Sequence, residues 1–248
     1  MDHSGMLIEG FDELSTMATI YNHPYYPKHL ERYGYTKDTD WVEYEITVEP
    51  QPNEKIARIA DLAMRRYKLQ FFQAREKKEL LPYARELFQI YNAEYRNLYS
   101  AVPLTDAQVE AAIQQYFGLI SPRFVPVVLD EHGKMVAFGI IMPSLSRALQ
   151  KSQGRLFPFG FLHLLRAMRK NDRADLYLVA VKEEYQGKGV NAILMDSVYR
   201  MFLEMGIKKI ETNPELEWNK DVQGQWKYYQ TRQHKRRRAF IKHIANQG

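Results

Sequence analysis

The segment of this chain best suited to chemistry is Leu178-Val-Ala-Val-Lys-Glu-Glu-Tyr-Gln-Gly-Lys-Gly-Val-Asn191. An apolar strand pattern ends there, two glycines fall within three residues, and a helical pattern begins at once. Glycine lets the backbone approach a ligand closely, and the first N–H groups of a helix converge on an anion under the helix dipole. Several charge-assisted hydrogen bonds, at about 1.5–3 kcal/mol each, would make a strong anchor for a pyrophosphate. The spacing fits neither a P-loop nor a dinucleotide-binding fingerprint. Gly-x-Gly alone is equally at home in an ordinary strand-to-helix turn.

A second concentration of charge lies at Arg232-Gln-His-Lys-Arg-Arg-Arg238. From Lys208 to Gly248 there are ten Lys or Arg against four Asp or Glu, a surplus of six, so the rest of the chain is close to neutral against a net charge of +5. Such a cluster suits a phosphate-bearing ligand, a nucleic acid or a solvated face. No recognised nucleic-acid motif accompanies it and aromatics are not interleaved within it, so nucleic acid ranks below the other two. No histidine pair has metal-ligand spacing beside a carboxylate, and no metal is expected. The absence of cysteine excludes thiol nucleophiles, thiolate metal sites and disulfides, and points to the cytoplasm.

The elements that must position these residues follow from periodicity. Leu176 to Val181 reads as a strand, Asn191 to Met205 as a helix closed by Gly206, and Lys208 to Thr212 as a second strand. A helix around Gln223 to Thr231 and a last strand from Arg238 to Ile244 complete the last third. Upstream, Asn53 is a natural N-cap for a helix to about Arg66, and Thr105 caps another. Asp130-Glu-His-Gly133 joins two apolar runs as a hairpin. Leu145 to Lys170 reads as two helical pieces, broken near Gly154 and Pro158. There, Phe157, Phe159, Phe161 and Leu164 suit packing or an apolar wall for an acyl chain. Strand, loop, helix, strand in that order predicts an α/β sheet. At 248 residues with 45% hydrophobic content the chain is long enough for a substantial core. No apolar run approaches the roughly 20 residues needed to span a bilayer.

Gln186-Gly-Lys-Gly189-Val-Asn191 resembles the acyl-coenzyme A signature of the GNAT N-acetyltransferase superfamily, Gln/Arg-x-x-Gly-x-Gly/Ala. The preceding strand, Gln186, Gly189 and the following helix match; Asn191 stands where Gly or Ala is usual. The resemblance implies a mixed, largely antiparallel sheet with a splayed central strand pair and flanking helices. It implies that Gln186, Gly187, Lys188, Gly189, Val190 and Asn191 hold the cofactor pyrophosphate. It implies further that Val179, Ala180 and Val181 pair with the pantetheine arm of acetyl-coenzyme A or a longer acyl-coenzyme A. Trp226-Lys-Tyr-Tyr-Gln-Thr-Arg232 resembles the family's segment bearing a tyrosine that protonates the leaving thiolate, with Tyr229 on that position and Tyr228 as its rival. A phenol suits the task because it remains protonated near neutral pH. Asp175 lies near the place where family members carry a strand glutamate as general base; a salt bridge or a strand cap explains it equally. Glu211, on the next strand, is an alternative.

Two segments look alike: Asn22 to Ile46 and Asn213 to Ile241 each run turn, short helix, polar linker and strand. This divides the chain into residues 1–50, a partial GNAT-like lobe holding only the terminal motif, and residues 51–248, an acyltransferase domain. A chance match of short aromatic segments is the competing account. The expected function is direct transfer of an acyl group from acyl-coenzyme A to a primary amine, with a homodimer left open. The alternatives are a GNAT fold that binds without catalysis and a protein associated with nucleic acid through its basic cluster.

Overall fold

A computed structural model describes residues 5–116 and 120–244. In chain order the elements are β1 (Met6–Glu9), α1 (Tyr25–Arg32), β2 (Thr36–Thr47), α2 (Glu54–Tyr67), β3 (Gln70–Gln73), α3 (Lys77–Leu80), α4 (Ala84–Tyr95) and α5 (Asp106–Tyr116). They continue with β4 (Pro126–Leu129), β5 (Met135–Pro143), α6 (Ser146–Lys151), α7 (Gly160–Arg169), β6 (Arg173–Val181), α8 (Val190–Met205), β7 (Lys209–Thr212), β8 (Glu215–Leu216), α9 (Lys220–Gly224) and β9 (Thr231–Ile241). The architecture is mixed α/β, and every strand pair with a resolved register is antiparallel.

The chain forms two compact units, and β6 contributes to both. Unit 1 comprises Met1–Val48, Pro143–Asp175 and Met205–Gly248; unit 2 comprises Glu49–Met142 and Leu176–Glu204. In unit 1 the strand order is β1, β9, β2, β7, with β8 also paired to β2. The long β2–β9 ladder runs from Thr36↔Ile241 to Ile46↔Thr231, with bulges between Lys37 and Thr39 and between Glu43 and Tyr44. Bulges bend a strand and re-aim its side chains, and this ladder turns an unusual number of charges inward.

In unit 2 the strands run β6, β5, β4, β3. The core gathers Leu87 and Ile90 of α4 with Val127, Leu129, Met135 and Phe138 of the β4–β5 hairpin and Ala180 of β6. That hairpin closes as its sequence dictates: Asp130 Oδ1 accepts from the N–H groups of His132 and Lys134, and Gly133 takes φ +74°. Asn53 caps α2 by accepting from the N–H groups of Lys55 and Ile56.

Two elements differ from expectation. The helix predicted over 223–231 is α9 followed by a 3₁₀ turn at Gln225–Tyr228, with Tyr229 already extended. The last strand starts at Thr231 rather than Arg238, because its charged residues find buried partners that periodicity cannot see.

Candidate active site

The glycine loop belongs wholly to unit 2. The end of β6 is held where Lys182 N–H donates to Val136 O at 2.9 Å, and a 3₁₀ turn at Glu183–Tyr185 follows. Gly187 and Gly189 then take φ +71° and +80°, backbone that L side chains rarely adopt. Gly189 is constrained twice, since a Cβ there would lie 3.1 Å from Ile59 Cγ2 and 3.2 Å from Ala63 Cβ on α2. Around Gly187 there is open space. Val190 is buried and anchors the first turn of α8, while Asn191 is exposed beside it. That first turn contains no acidic residue, so nothing in it opposes an anion. The Lys188 ammonium lies over the rings of Tyr67 and Tyr185, at 5.3 and 5.4 Å.

Helix α4 fixes the loop from the side. Gln186 Nε2 donates to Glu94 Oε2 at 2.7 Å and to Val181 O at 3.0 Å, and Glu94 Oε1 accepts from Glu183 N–H at 3.0 Å. Tyr95 OH donates to Val179 O at 3.0 Å. The carbonyls of Val179 and Val181 are thus engaged by side chains, and Ala180 points into the core. Sequence reasoning missed Glu94 and Tyr95, which carry no motif and stand out only by their reach. Between α4 and the loop lies an open cleft of about 510 Å³ lined by Glu86, Gln89, Glu94, Lys182, Glu183 and Glu184, among others. Four carboxylates against one lysine favour a cation there over a phosphate.

Asp175 and Tyr229 belong to unit 1. Asp175 is 1% exposed, and burial, reinforced by the Glu211 carboxylate, pushes its pKa up to about 7. Ser144 hydrogen-bonds it and works against that rise, while its Oδ2 has no hydrogen-bond partner among the described residues. Glu211 faces burial too, but His234 and Lys235 outweigh it and hold its pKa below the ordinary value. Two carboxylates on successive strands are therefore driven apart, one towards the neutral form and one kept ionised.

Around them sits a buried ionic network. Lys235 Nζ pairs with Glu43 Oε2 at 2.9 Å and with Glu211, and Arg237 Nε donates to Glu43 Oε1 at 2.6 Å. Among the described residues, Glu43, Glu211 and His234 bring ligand-type atoms within 4.8 Å of one another. The Lys235 ammonium already bridges both carboxylates, so an ion would have to displace it. The rest of the basic run is paired as well: Arg232 with Glu13 and Glu45, Arg236 with Asp40 and Glu217, Arg238 with Asp40. This charge enters ion pairs between β9 and the strands and loop beside it.

Tyr229 follows the 3₁₀ turn, half-buried, its N–H donating to Trp226 O at 3.0 Å. The turn is pinned by buried Trp226, whose Nε1 lies 2.9 and 3.0 Å from the two Glu215 oxygens. Burial pushes the Glu215 carboxyl up to about 7 against the bonds from Trp226 and Thr212. Tyr228 carries the Lys227 ammonium over its ring at 5.0 Å.

The model of the Acetyltransferase (GNAT) family matches residues 84–231. Over 97% of its length the chain is 25% identical to Protein YghO of Escherichia coli, and over 87% it is 23% identical to the Bacterial ceramide synthase of Caulobacter vibrioides. It spans 63% and 57% of those two proteins. The structure of a GCN5-related N-acetyltransferase from Sphaerobacter thermophilus superposes with a TM-score of 0.52 at 11% identity, over 92% of this chain and 57% of that one. With more than half its length matched by the family model and a GNAT fold in the superposition, this chain belongs to the GNAT acetyltransferase family.

Proposed function

We propose that the chain catalyses direct transfer of an acyl group from acyl-coenzyme A to a primary amine. The observation that carries this reading is the loop at the start of α8, where Gly187 and Gly189 take positive φ and Gly189 is wedged against α2. Such a turn offers helix N–H groups to a pyrophosphate, with Lys188 supplying a nearby cation. The acidic cleft beside Glu94 and Glu183 is suited to an ammonium before it gives up its proton.

In the reaction the amine nitrogen attacks the thioester carbonyl, the C–N bond forms and the C–S bond breaks. The amine proton goes to a base and the thiolate takes a proton, giving an amide and the free thiol. Asp175 is the proposed base, supported by a pKa near the working pH, where a base is most effective. Tyr229 is the proposed acid, supported by its position in the family segment. The first acceptor to test is a long-chain amino alcohol, because a ceramide is the fatty amide of such an amine and a relative bears that name. No helix among the described residues is long and apolar enough to cross a membrane. A cytoplasmic location and the division into residues 1–50 and 51–248 belong to the same proposal.

The test is thiol release on mixing the protein with acetyl- or palmitoyl-coenzyme A and a long-chain amino alcohol. Since the chain has no cysteine, a thiol reagent reads coenzyme A alone. Acceptor-dependent release supports the reading. Binding of acyl-coenzyme A without release on any amine would favour a GNAT fold that binds without catalysis.

A further inference from the structure

The α6–α7 hairpin in unit 1 has a surface that acyl transfer does not explain. From Ser146 to Asn171 there are six Lys or Arg (Arg147, Lys151, Arg155, Arg166, Arg169, Lys170) and no Asp or Glu. All six are exposed. Among them Phe157 and Phe159 are 73% and 68% exposed, and Leu162, Leu165 and Met168 are each more than 40% exposed. The three-residue spacing of the last three makes one stripe along α7, with Arg166 and Lys170 on the adjoining side.

This presentation is built, not a loose loop. Arg155 N–H donates to Ser152 O, Gly154 N–H to Leu149 O, and Phe161 N–H to Leu156 O, at 2.9, 3.0 and 2.9 Å. Gly160 has no room for a side chain, since a Cβ would fall 1.8 Å from Arg155 O. The turn therefore holds Leu156 to Phe159 outward in a fixed frame. Phe157 meets Phe161 of the same hairpin, ring centroids 6.0 Å apart, yet most of its surface and that of Phe159 stays in water, which is costly unless something covers it.

We infer that this hairpin docks on an anionic lipid bilayer, with Phe157, Phe159 and the Leu162–Leu165–Met168 stripe entering the interface and the surrounding cations meeting lipid phosphates. An apolar face flanked by Lys and Arg without acids is the pattern of a helix lying in the membrane plane. Arg147 pairs with Asp172 at 3.3 Å, and the other five cations argue against a second copy as the occupant, because a two-fold contact would bring five against five. An anionic surface answers both the apolar and the charged parts of the hairpin. The inference is independent of acyl transfer.

The test is co-sedimentation of the full chain, without acyl-coenzyme A, with phosphatidylcholine vesicles containing about 30% phosphatidylglycerol or none. The wild type should bind the anionic vesicles, bind neutral ones at least about tenfold more weakly, and be released by salt. Phe157→Glu/Phe159→Glu should weaken binding about tenfold or more, and Arg166→Glu/Arg169→Glu should also abolish its salt dependence. Both pairs are exposed, so their melting temperatures should match the wild type. Equal partitioning onto the two vesicle types, no binding to either, or equal binding by wild type and both variants would overturn the inference. So would a dimer in solution that Phe157→Glu/Phe159→Glu dissociates while vesicle binding is absent, which would make the face an interface between copies.

Discussion

Gln186 Nε2 lies 2.7 Å from Glu94 Oε2, so the glutamine of the acyl-coenzyme A motif is clamped to α4. The other Glu94 oxygen holds Glu183 N–H, and one carboxylate thereby fixes both ends of the turn before α8. Gln186 shapes the loop through the protein, and on the proposed reading the ligand-facing groups are the N–H donors that follow it. Glu94→Ala should weaken acyl-coenzyme A binding by about tenfold, the loss of one or two hydrogen bonds to a charged group. Equilibrium titration checks this, and an unchanged affinity would remove Glu94 from the account.

Tyr229→Phe deletes only the phenolic oxygen. On the proposed chemistry it should lower kcat about 100-fold or more with little change in acyl-coenzyme A affinity, while Tyr228→Phe should be nearly silent. Single-turnover rates decide between them. Equal effects from both, or none from either, would leave the thiolate without its proposed acid.

The ionic network of β9 makes a stability prediction. Lys235 and Glu43 are buried, and removing the ammonium leaves Glu43 with Arg237 and Glu211 with His234 but takes away the one cation that bridges the two carboxylates. Lys235→Met should therefore destabilise the protein by about 3–5 kcal/mol, the usual cost of breaking a buried pair from one side. Denaturant unfolding gives the number. A loss under about 1 kcal/mol would show that the network is screened by water.

The pH dependence has a definite sign. Asp175 and Glu215 have folded pKa values of about 7, above their unfolded values near 4. Their contribution is complete below about pH 4 and is lost as pH rises through about 7, where ionising a buried carboxyl penalises the native state. Asp40, Glu45 and Glu211, held low mainly by Arg238, Arg173 and His234 against burial, act oppositely and withdraw stability in acid. Stability should thus peak near pH 5 and decline by on the order of a few kcal/mol towards pH 8. Asp175→Asn should flatten part of that decline in thermal melts taken across the range; an unchanged slope would contradict the assignment.

Much of this architecture was legible because local rules sufficed. The caps at Asn53, the hairpin at Asp130 to Gly133 and the glycine turn into α8 each depend on residues close in sequence. What escaped depends on partners far away. The run Arg232 to Arg238 reads as a solvated or ligand-binding patch until Asp40, Glu43 and Glu45 are laid against it across the β2–β9 ladder. Glu94 and Tyr95 look like any polar residues on a helix, and their bonds to Gln186 and Val179 span 92 and 84 residues. The aromatics of 157–161 suited packing or an acyl wall, whereas Phe157 and Phe159 stand largely in solvent.

The central claim, that the loop before α8 holds the pyrophosphate of acyl-coenzyme A, is tested most directly with Asn191→Asp. The site is exposed in the first turn of α8, where a carboxylate strengthens a free helix through its dipole by about 0.3–1 kcal/mol yet repels a phosphate. Calorimetric titration with acyl-coenzyme A should show binding by the wild type and at least about tenfold weaker binding by the variant, whose melting temperature is equal or higher. Equal affinity in the two proteins, or no heat from the wild type with any acyl-coenzyme A, would contradict the account.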